Sequence, residues 1–282
     1  MIGNKCVKIS IIVAVYNGAE TLQRCIDSIA NQRYLNLELI IIDGASTDGT
    51  VDIIKMNSEH ITYWVSEPDK GIGDAWNKAL KVLKGDWFLI LGADDYLADQ
   101  FVIESFVVRL DGVDINNHLV LYGEVNRVNM GGVIIEANDG GEWSIDRFLS
   151  RPMYVCHQSI FCHSSLIKKI GSFDESLRTS MDYDYLLRST KLTTPCYLKG
   201  LLVSNFTLGG VSGSTADILT MYREIMAVKV KNGYQAVQGY FYFMLMKVAV
   251  KYLLERVFGS RVRRGLVNCY RMITGRSASH ER

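Results

Sequence analysis

Four short apolar runs punctuate the first hundred residues, at 9–15 ("ISIIVAV"), 37–43 ("LELIIID"), 61–65 ("ITYWV") and 87–91 ("WFLIL"). Each is β-branched or aromatic along most of its length, as strands buried on both faces require. Between them the apolar positions fall at helical spacing. Leu22, Cys25, Ile26 and Ile29 occupy i, i+3, i+4 and i+7, and Ile72, Trp76, Ala79 and Leu83 mark such a face on a later segment. Strand and helix in alternation predict an α/β fold, a doubly wound, mostly parallel sheet with helices on both faces. Beyond about residue 110 the alternation loosens. "HLVLYGEV" and "GGVIIEA" predict strands that could pair as a hairpin, and "WSIDRFLS" predicts a short helix. From about 216 a mostly helical segment contains the very apolar "YFYFMLMKVAVKYLLERVF", which sets a main domain over 1–215 and a helical extension over 216–282.

In doubly wound sheets ligands bind beyond the carboxyl ends of the strands. The segments that follow the four runs are "YNGAE", "DGASTDGT", "SEPDKGIGD" and "GADDYL", all rich in Gly, Asp, Ser or Asn. Turn chemistry accounts for much of that composition in any one loop, because these residues tolerate φ > 0 and cap backbone donors. Four such loops on one sheet edge point to a site.

Composition narrows the class. The 282 residues are 48% hydrophobic and 22% charged with a net charge of +1, ordinary for a globular protein and unlike a nucleic-acid binder. The balance hides an asymmetry, since nine Lys or Arg face two acids from Lys247 onward, leaving the first 246 residues at −6 and the tail at +7. Six scattered cysteines (Cys6, Cys25, Cys156, Cys162, Cys196, Cys269) lack the density of a disulfide scaffold and suit a reducing cytoplasm. "ISIIVAV" follows Lys5 and Lys8 as a signal h-region would, but it runs into "YNGAE" without a cleavage pattern and reads as a first strand. The chain has no uninterrupted apolar run of span length, so a conventional membrane span is not expected.

Motif by motif, several chemistries drop out. "VYNGAETL" has one glycine where a dinucleotide fingerprint needs three, and the P-loop, G-x-S-x-G and H-E-x-x-H patterns do not occur. Asp43, closing the second run, can accept hydrogen bonds from a nucleoside or, with Ser46, cap the next helix. Asp94 and Asp95 repel one another unless a cation or proton intervenes, and Mg²⁺ or a similar hard cation uses one or two carboxylates plus phosphate oxygens. An exposed Asp-Asp turn is the plain alternative. In "SMDYDYLLR" Asp182 and Asp184 precede a helical turn, where either can cap it and either can serve as a general base toward an acceptor hydroxyl. "CHQSIFCH" offers two Cys-His pairs, but strand alternation would put Cys156 and Cys162 on one face and His157 and His163 on the other, too divided for one tetrahedral zinc. His157 and Gln158 remain candidate substrate contacts.

In this order the loops resemble the family 2 inverting glycosyltransferases of the GT-A nucleotide-sugar-binding fold, over roughly residues 8–215. "ISIIVAVYNGAETLQRCIDSIANQ" is similar to the family's opening strand and helix, "IIIDGASTDGT" to its nucleoside loop, and "GDWFLILGADDYL" to its D-x-D segment. "VSEPDKGIGDAWNKAL", "CHQSIF", "SMDYDYLL" and "FTLGGVS" resemble the colanic-acid-type polysaccharide glycosyltransferases. The resemblance implies that Val15, Tyr16 and Glu20 line the nucleotide pocket, that Asp43 holds the base, with uracil expected, and that Asp69, Gly71 and Asp74 lie near the ribose, diphosphate or donor sugar. Ser46 joins this donor set. It implies a divalent metal (Mg²⁺ or Mn²⁺) at Asp94 with Asp95 beside it, and Asp182 as general base, with Asp184 another acceptor-side candidate. Two departures stand out: Gly92 replaces the first acid of D-x-D, and Gly44 replaces the second acid of the nucleoside loop.

The implied reaction is a single displacement that inverts configuration, moving a sugar from a nucleotide-sugar donor to a saccharide or lipid-linked acceptor in bacterial surface polysaccharide synthesis. The tail interleaves apolar residues with Lys247, Lys251, Arg256, Arg261, Arg263 and Arg264, a composition that suits an anionic membrane interface and a peripheral place on the cytoplasmic face of the inner membrane. The same pattern suits a helical subdomain packed on the core or on a second copy in a homo-oligomer. A non-catalytic nucleotide-sugar-binding or scaffolding relative is the alternative that Gly92 motivates.

Overall fold

The computed structural model describes residues 7–138, 140–151, 154–208 and 215–235, together with positions 242, 243, 246 and 250. The apolar runs become strands at or near the expected bounds: β1 (Ile9–Val15), β2 (Leu37–Asp43), β3 (Tyr63–Ser66) and β4 (Trp87–Gly92). They pair in parallel in the order β3-β2-β1-β4, with Ile9 opposite both Leu37 and Trp87. This register puts Val15 level with Asp43, and Ala14 level with Gly92, so the polar loops leave the sheet from one edge.

Alternate residues of β1 feed two cores. Ile9, Ile11 and Val13 pack with α1 (Leu22–Ala30) and with Val102, Ile103, Phe106 and Leu110 of α4 (Val102–Leu110), while Ile12 faces Ala75, Trp76, Ala79 and Leu80 of α3 (Ile72–Val82). A doubly wound sheet follows from that division of side chains. The buried face of α1 is the expected Leu22, Cys25, Ile26 and Ile29. On α3 it differs: Ile72 is 42% exposed and Leu83 lies beyond the last turn in extended conformation. Trp76 and Ala79 are buried as expected, and Ala75 and Leu80 complete the face. Between α1 and α3 lies α2 (Thr50–Met56).

Past β4 the sheet becomes mixed. After the short β5 (Tyr96–Leu97) and α4 come β6 (Val120–Val128) and β7 (Ile134–Asn138), the expected hairpin, and α5 (Ile145–Ser150), the expected short helix. A 3₁₀ turn at His157–Ser159 leads into β8 (Ile160–His163), which runs antiparallel between β4 and β6. Then follow α6 (Ser165–Ile170), α7 (Met181–Ser189) and the long β9 (Cys196–Thr207), parallel to β6 and antiparallel to β5. Finally α8 (Thr215–Lys231) buries Tyr222, Ile225 and Val228, and its Glu224 accepts from the backbone N–H groups of Arg178 and Thr179 at 2.6 and 2.9 Å, tying down the approach to α7. Phe106 of α4 stacks on Phe161 of β8 at 3.8 Å and 14°, closing the core between the two halves of the sheet.

A polar pair interrupts the apolar runs at the end of the sheet away from the loops. Ser10 and Glu38 are level on β1 and β2 and both buried. Ser10 donates to Glu38 Oε1 at 2.6 Å, Lys84 N–H donates to the same oxygen at 2.6 Å, and Lys8 Nζ lies 2.9 Å from Oε2. Burial works against the charged carboxylate, but these partners outweigh it and hold its pKa below the usual value. A carboxylate depressed in this way adds stability above its unfolded pKa that is lost as the pH falls. Glu38→Gln is therefore expected to lower the midpoint of thermal unfolding at pH 7, with the gap to wild type closing as the pH drops below about 4.

Candidate active site

The loops after β1 and β2 are knitted into one surface. Gly44 N–H donates to Val15 O at 2.9 Å, Asn17 N–H to Ser46 Oγ at 2.7 Å, Gly18 N–H to Thr50 Oγ1 at 2.9 Å and Ala19 N–H to Asp48 Oδ2 at 3.0 Å. Asn17 and Ala45 take positive φ (49° and 62°), a conformation that surrounding bonds must impose on residues with a Cβ. Tyr16 is 65% exposed and Glu20 is exposed, both open to a ligand. Val15 is not: its side chain belongs to the core, leaving only its backbone at the edge. Asp43 is fully buried and accepts from Ser46 N, Ser46 Oγ and Ser66 Oγ at 3.0, 2.5 and 2.6 Å. It shapes the loop from beneath, and it does not cap α2, whose N-cap is Gly49.

After β3, Asp69 Oδ1 accepts from Gly71 N–H at 2.9 Å, and Gly71, at φ 124°, is the N-cap of α3. Asp74 accepts from Lys70 N–H at 3.1 Å and sits 3.5 Å from Lys78, whose ammonium also meets Glu67 at 2.9 Å. Asp74 thus fastens this loop, and Asp69 is the acid nearer the nucleoside loop: a Cβ built on Gly44 would lie 2.6 Å from Asp69 Oδ2.

The two acids after β4 play different parts. Asp95 is buried, with Oδ1 accepting from Thr207 N–H (2.9 Å) and Oδ2 from Gln158 Nε2 (3.0 Å) and Gly92 N–H (3.2 Å). Burial, then the charge of Asp94, pushes its pKa up to about 6. Three hydrogen bonds from the protein make Asp95 an anchor of the loop beside Asp94. Gln158 is buried and bonded to Asp95, supporting that anchor from beneath. Asp94 is held by its backbone, its carbonyl accepting from Thr207 Oγ1 (2.6 Å) and Arg24 Nη2 (3.0 Å), and among the described residues no other side chain hydrogen-bonds its carboxylate. Partial burial raises its pKa. Gly92 explains the geometry, because a Cβ there would lie 2.7 Å from both Asp94 Oδ1 and Asp95 Oδ2. The space of the missing acid is filled by the two that follow.

On the other side of the cleft His157 Nδ1 is 3.2 Å from Asp182 Oδ2, while Asp182 Oδ1 accepts from Tyr183 N–H at 2.8 Å. Burial disfavours the imidazolium, yet the hydrogen bond to Asp182 and the fields of Asp182, Asp95 and Asp94 outweigh it and raise the histidine's pKa. His157 therefore lies within the field of the acids on both sides. Its ring tilts against Trp76 at 5.5 Å, and a cavity of about 30 Å³ opens between them, walled by Phe88, Phe173, Tyr185 and Asp182. Trp76 Nε1 and Tyr185 Oη, of two residues on that wall, are buried without a hydrogen-bond partner among the described residues. Asp184 does not reach the cleft. It is fully buried, 2.7 Å from Arg188 Nε, and Arg188 in turn donates to Ile170 O and Ser172 O, which ties the start of α7 to the end of α6. His163 packs edge-on against Trp87, in the opposite core from Trp76, which separates the two histidines of "CHQSIFCH". Strand alternation would have put both histidines on one face, but it does not extend to His157, since Cys156 to Ser159 lie outside β8.

Arg24 carried no sequence signal. It projects from α1 to bond Asp94 O, Thr207 Oγ1 and Met130 O, with its guanidinium 4.4 Å over the Tyr96 ring. Its partners are 70 to 183 residues away, and a helical position between Gln23 and Cys25 gives no hint of them.

A curled mixed sheet flanked by helices, with acidic loops on the carboxyl ends of β1 to β4, is the GT-A architecture of sugar-transferring enzymes. The chain belongs to glycosyl transferase family 2, whose description it matches over residues 10–166. It is 31% identical over 219 residues to a PGL/p-HBAD biosynthesis glycosyltransferase of Mycobacterium bovis, covering 74% of this chain and 80% of the relative. Among solved structures it is similar to S. aureus TarS 1–349 in complex with UDP-GlcNAc (TM-score 0.63, 19% identity, 82% of this chain and 69% of that one). It is also similar to the mannosyltransferase PcManGT from Pyrobaculum calidifontis in complex with GDP-Man and Mn2+ (TM-score 0.62, 17% identity, 96% and 81%).

Proposed function

We propose that this glycosyltransferase is inverting and moves a sugar from a nucleotide-sugar donor, UDP-linked in the first instance, to a saccharide or lipid-linked acceptor in surface polysaccharide or glycolipid assembly. One observation carries the reading. The carboxylate of Asp94 is left to a ligand while a second, Asp182, is held at both oxygens across from it, with His157 in the field of both.

Asp182 accepts the proton of the acceptor hydroxyl as that oxygen attacks the anomeric carbon, and the bond from that carbon to the nucleoside diphosphate breaks with its electron pair leaving on the diphosphate. His157 Nδ1–H and Tyr183 N–H fix the carboxylate's orientation, in the manner of a base held by its neighbours. The cavity beside Asp182, with its aromatic wall and the Trp76 and Tyr185 donors that lack partners among the described residues, has room for a water or a single hydroxyl-sized group. Asp94 supplies a hard oxygen donor in partly buried surroundings that disfavour its lone charge, a set that Mg²⁺ or Mn²⁺ fits when diphosphate oxygens complete the shell. Bound there, the cation would neutralise charge growing on the leaving group. The Mn2+ in the PcManGT complex supports the same choice.

Release of nucleoside diphosphate from UDP-, GDP- and dTDP-sugars with Mn²⁺ or Mg²⁺ tests the function. Tight donor binding without turnover on any acceptor would favour a scaffolding role instead.

The extension from 216 extends the reading to location. Among the described residues no helix is long and apolar enough to cross a membrane, and the apolar, basic stretch from 240 to the end lies almost wholly outside them. Its composition supports peripheral attachment to an anionic surface on the cytoplasmic side. Truncation at about residue 238 is expected to move the protein from vesicles containing anionic lipid to the supernatant in a sedimentation assay. Unchanged partitioning would assign the stretch to contacts within the protein or with a second copy.

A further inference from the structure

We propose that Glu224 of α8 is a positioning residue for the base Asp182, so that the catalytic unit runs through the first helix of the extension. The inference rests on the reading of Asp182 above and goes beyond it, to a residue outside the loops at the sheet edge.

Asp182 is the second residue of α7, whose N-cap, Ser180, makes no side-chain cap. The stretch before it, 171–180, forms neither helix nor strand. Where Asp182 stands over the cleft therefore depends on what grips this stretch. Glu224 grips it with both oxygens: Oε1 accepts from Arg178 N–H at 2.6 Å, and Oε2 accepts from Thr179 N–H at 2.9 Å and Thr179 Oγ1 at 2.8 Å. Bonds to an ionised acceptor are the stronger kind. Ser180 Oγ adds a fourth, to Met221 O at 3.3 Å. Ser180 O in turn accepts from Asp184 N–H at 3.0 Å, so the first turn of α7, with Asp182 in it, continues directly from the gripped residues.

The helix that carries Glu224 is fixed independently. Ile225 and Val228 join the core cluster that holds Trp76, Phe148 and Tyr183, and Lys229 donates to Leu149 O at the end of α5. Two ion pairs also span the helix and the stretch, Arg178 with Asp217 at 3.2 Å and Asp174 with Lys231 at 2.7 Å. Arg178 and Lys231 are largely exposed, and pairs of that kind contribute little. Glu224 is thus the side chain whose loss frees the approach to α7 while the apolar face of α8 stays packed. Asp182 Oδ2 lies 3.2 Å from His157 Nδ1, so a small displacement breaks that contact and draws the carboxylate off the acceptor hydroxyl. A misplacement of about 1 Å is enough to lower a rate about a hundredfold.

The test is a double-mutant cycle on the full chain with wild type, Glu224→Ala, Asp182→Asn and the double variant. Turnover is read as nucleoside diphosphate release from UDP-, GDP- and dTDP-sugars, and the His157 ring is followed by NMR through a pH titration. Glu224→Ala is expected to lower kcat by up to about a hundredfold, while UDP and GDP bind as they do to wild type. In the Asp182→Asn background the same change should have no further effect on kcat, because a residue that acts through the base has nothing left to place. Burial lowers the midpoint of His157, and Asp182, with Asp95 and Asp94, raises it on balance, so it should fall in Glu224→Ala as it does in Asp182→Asn. Glu224→Gln, which keeps one accepting oxygen, should lose less, and it carries the same comparison if Glu224→Ala does not fold. Unchanged kcat in Glu224→Ala, losses that multiply in the double variant, or a His157 midpoint that stays at its wild-type value overturns the inference and leaves the reading of Asp182 standing. Wild type that turns over none of these sugars, or Asp182→Asn that turns over as fast as wild type, overturns that reading and the inference with it.

Discussion

Asp182→Asn is expected to lower turnover by about two to four orders of magnitude, the usual contribution of a positioned general base, with little change in donor affinity. The substitution is nearly isosteric. Asn can still accept at Oδ1 from Tyr183 N–H, so the start of α7 keeps its geometry, while the group can no longer take a proton from the acceptor. The His157 contact is the part that changes, because an amide placed opposite Nδ1 loses the charge that raises the imidazole's pKa. Two measurements separate the roles. The rate of nucleoside diphosphate release with saturating acceptor should fall, whereas the dissociation constant for UDP or GDP should hold, since the loops after β1, β2 and β3, the proposed nucleotide side, share no hydrogen bond with Asp182 among the described residues. A loss smaller than about tenfold would place the base elsewhere.

Much of the fold was legible because its central strands are buried on both faces. β1 and β2 fall on the apolar runs at 9–15 and 37–43, and the α1 face is the one that spacing predicts. The errors have local causes. On α3 the helix ends before Leu83, and Ile72 sits half-exposed in the first turn, so the buried stripe shifts toward Ala75 and Leu80. "CHQSIFCH" looked like continuous strand, yet a 3₁₀ turn at His157–Ser159 is what aims His157 at Asp182 and Gln158 at Asp95. The site followed the same rule. Sequence found the loops, since Gly and Asp after an apolar run are visible in one line of text. It could not say which acids were already satisfied. Asp95 is engaged by Thr207, 112 residues away, and Gln158, 63 away, and Asp184 through Oδ2 by Arg188, whose guanidinium is placed by α6 and the loop after it. Nor could it show that Gly44 and Gly92, departures from the family pattern, have carboxylates folded over them.

The division of labour between the adjacent acids makes the other large prediction. Asp94→Asn is expected to abolish stimulation of turnover by Mn²⁺ or Mg²⁺ and reduce the rate at saturating metal by about a hundredfold or more, as loss of the charge that neutralises a leaving group should. Its effect on stability should be neutral or favourable. The carboxylate bonds to no other side chain among the described residues, its backbone carbonyl still accepts from Arg24 and Thr207, and removing its charge relieves Asp95, whose pKa it helps to raise. Asp95→Ala should behave oppositely. It strands Thr207 N–H, Gln158 Nε2 and Gly92 N–H in a buried place, and each unpaired donor costs about 1–3 kcal/mol, so the variant should unfold at a markedly lower temperature. A metal titration of turnover and a thermal unfolding curve on both variants distinguish the assignments. If Asp95→Ala kept the stability of wild type and lost the metal response, the ion would belong to Asp95 and Asp94 would be the bystander. The geometry argues the reverse, because Asp95 already accepts three hydrogen bonds from Thr207, Gln158 and Gly92, whereas the carboxylate of Asp94 bonds to no other side chain among the described residues.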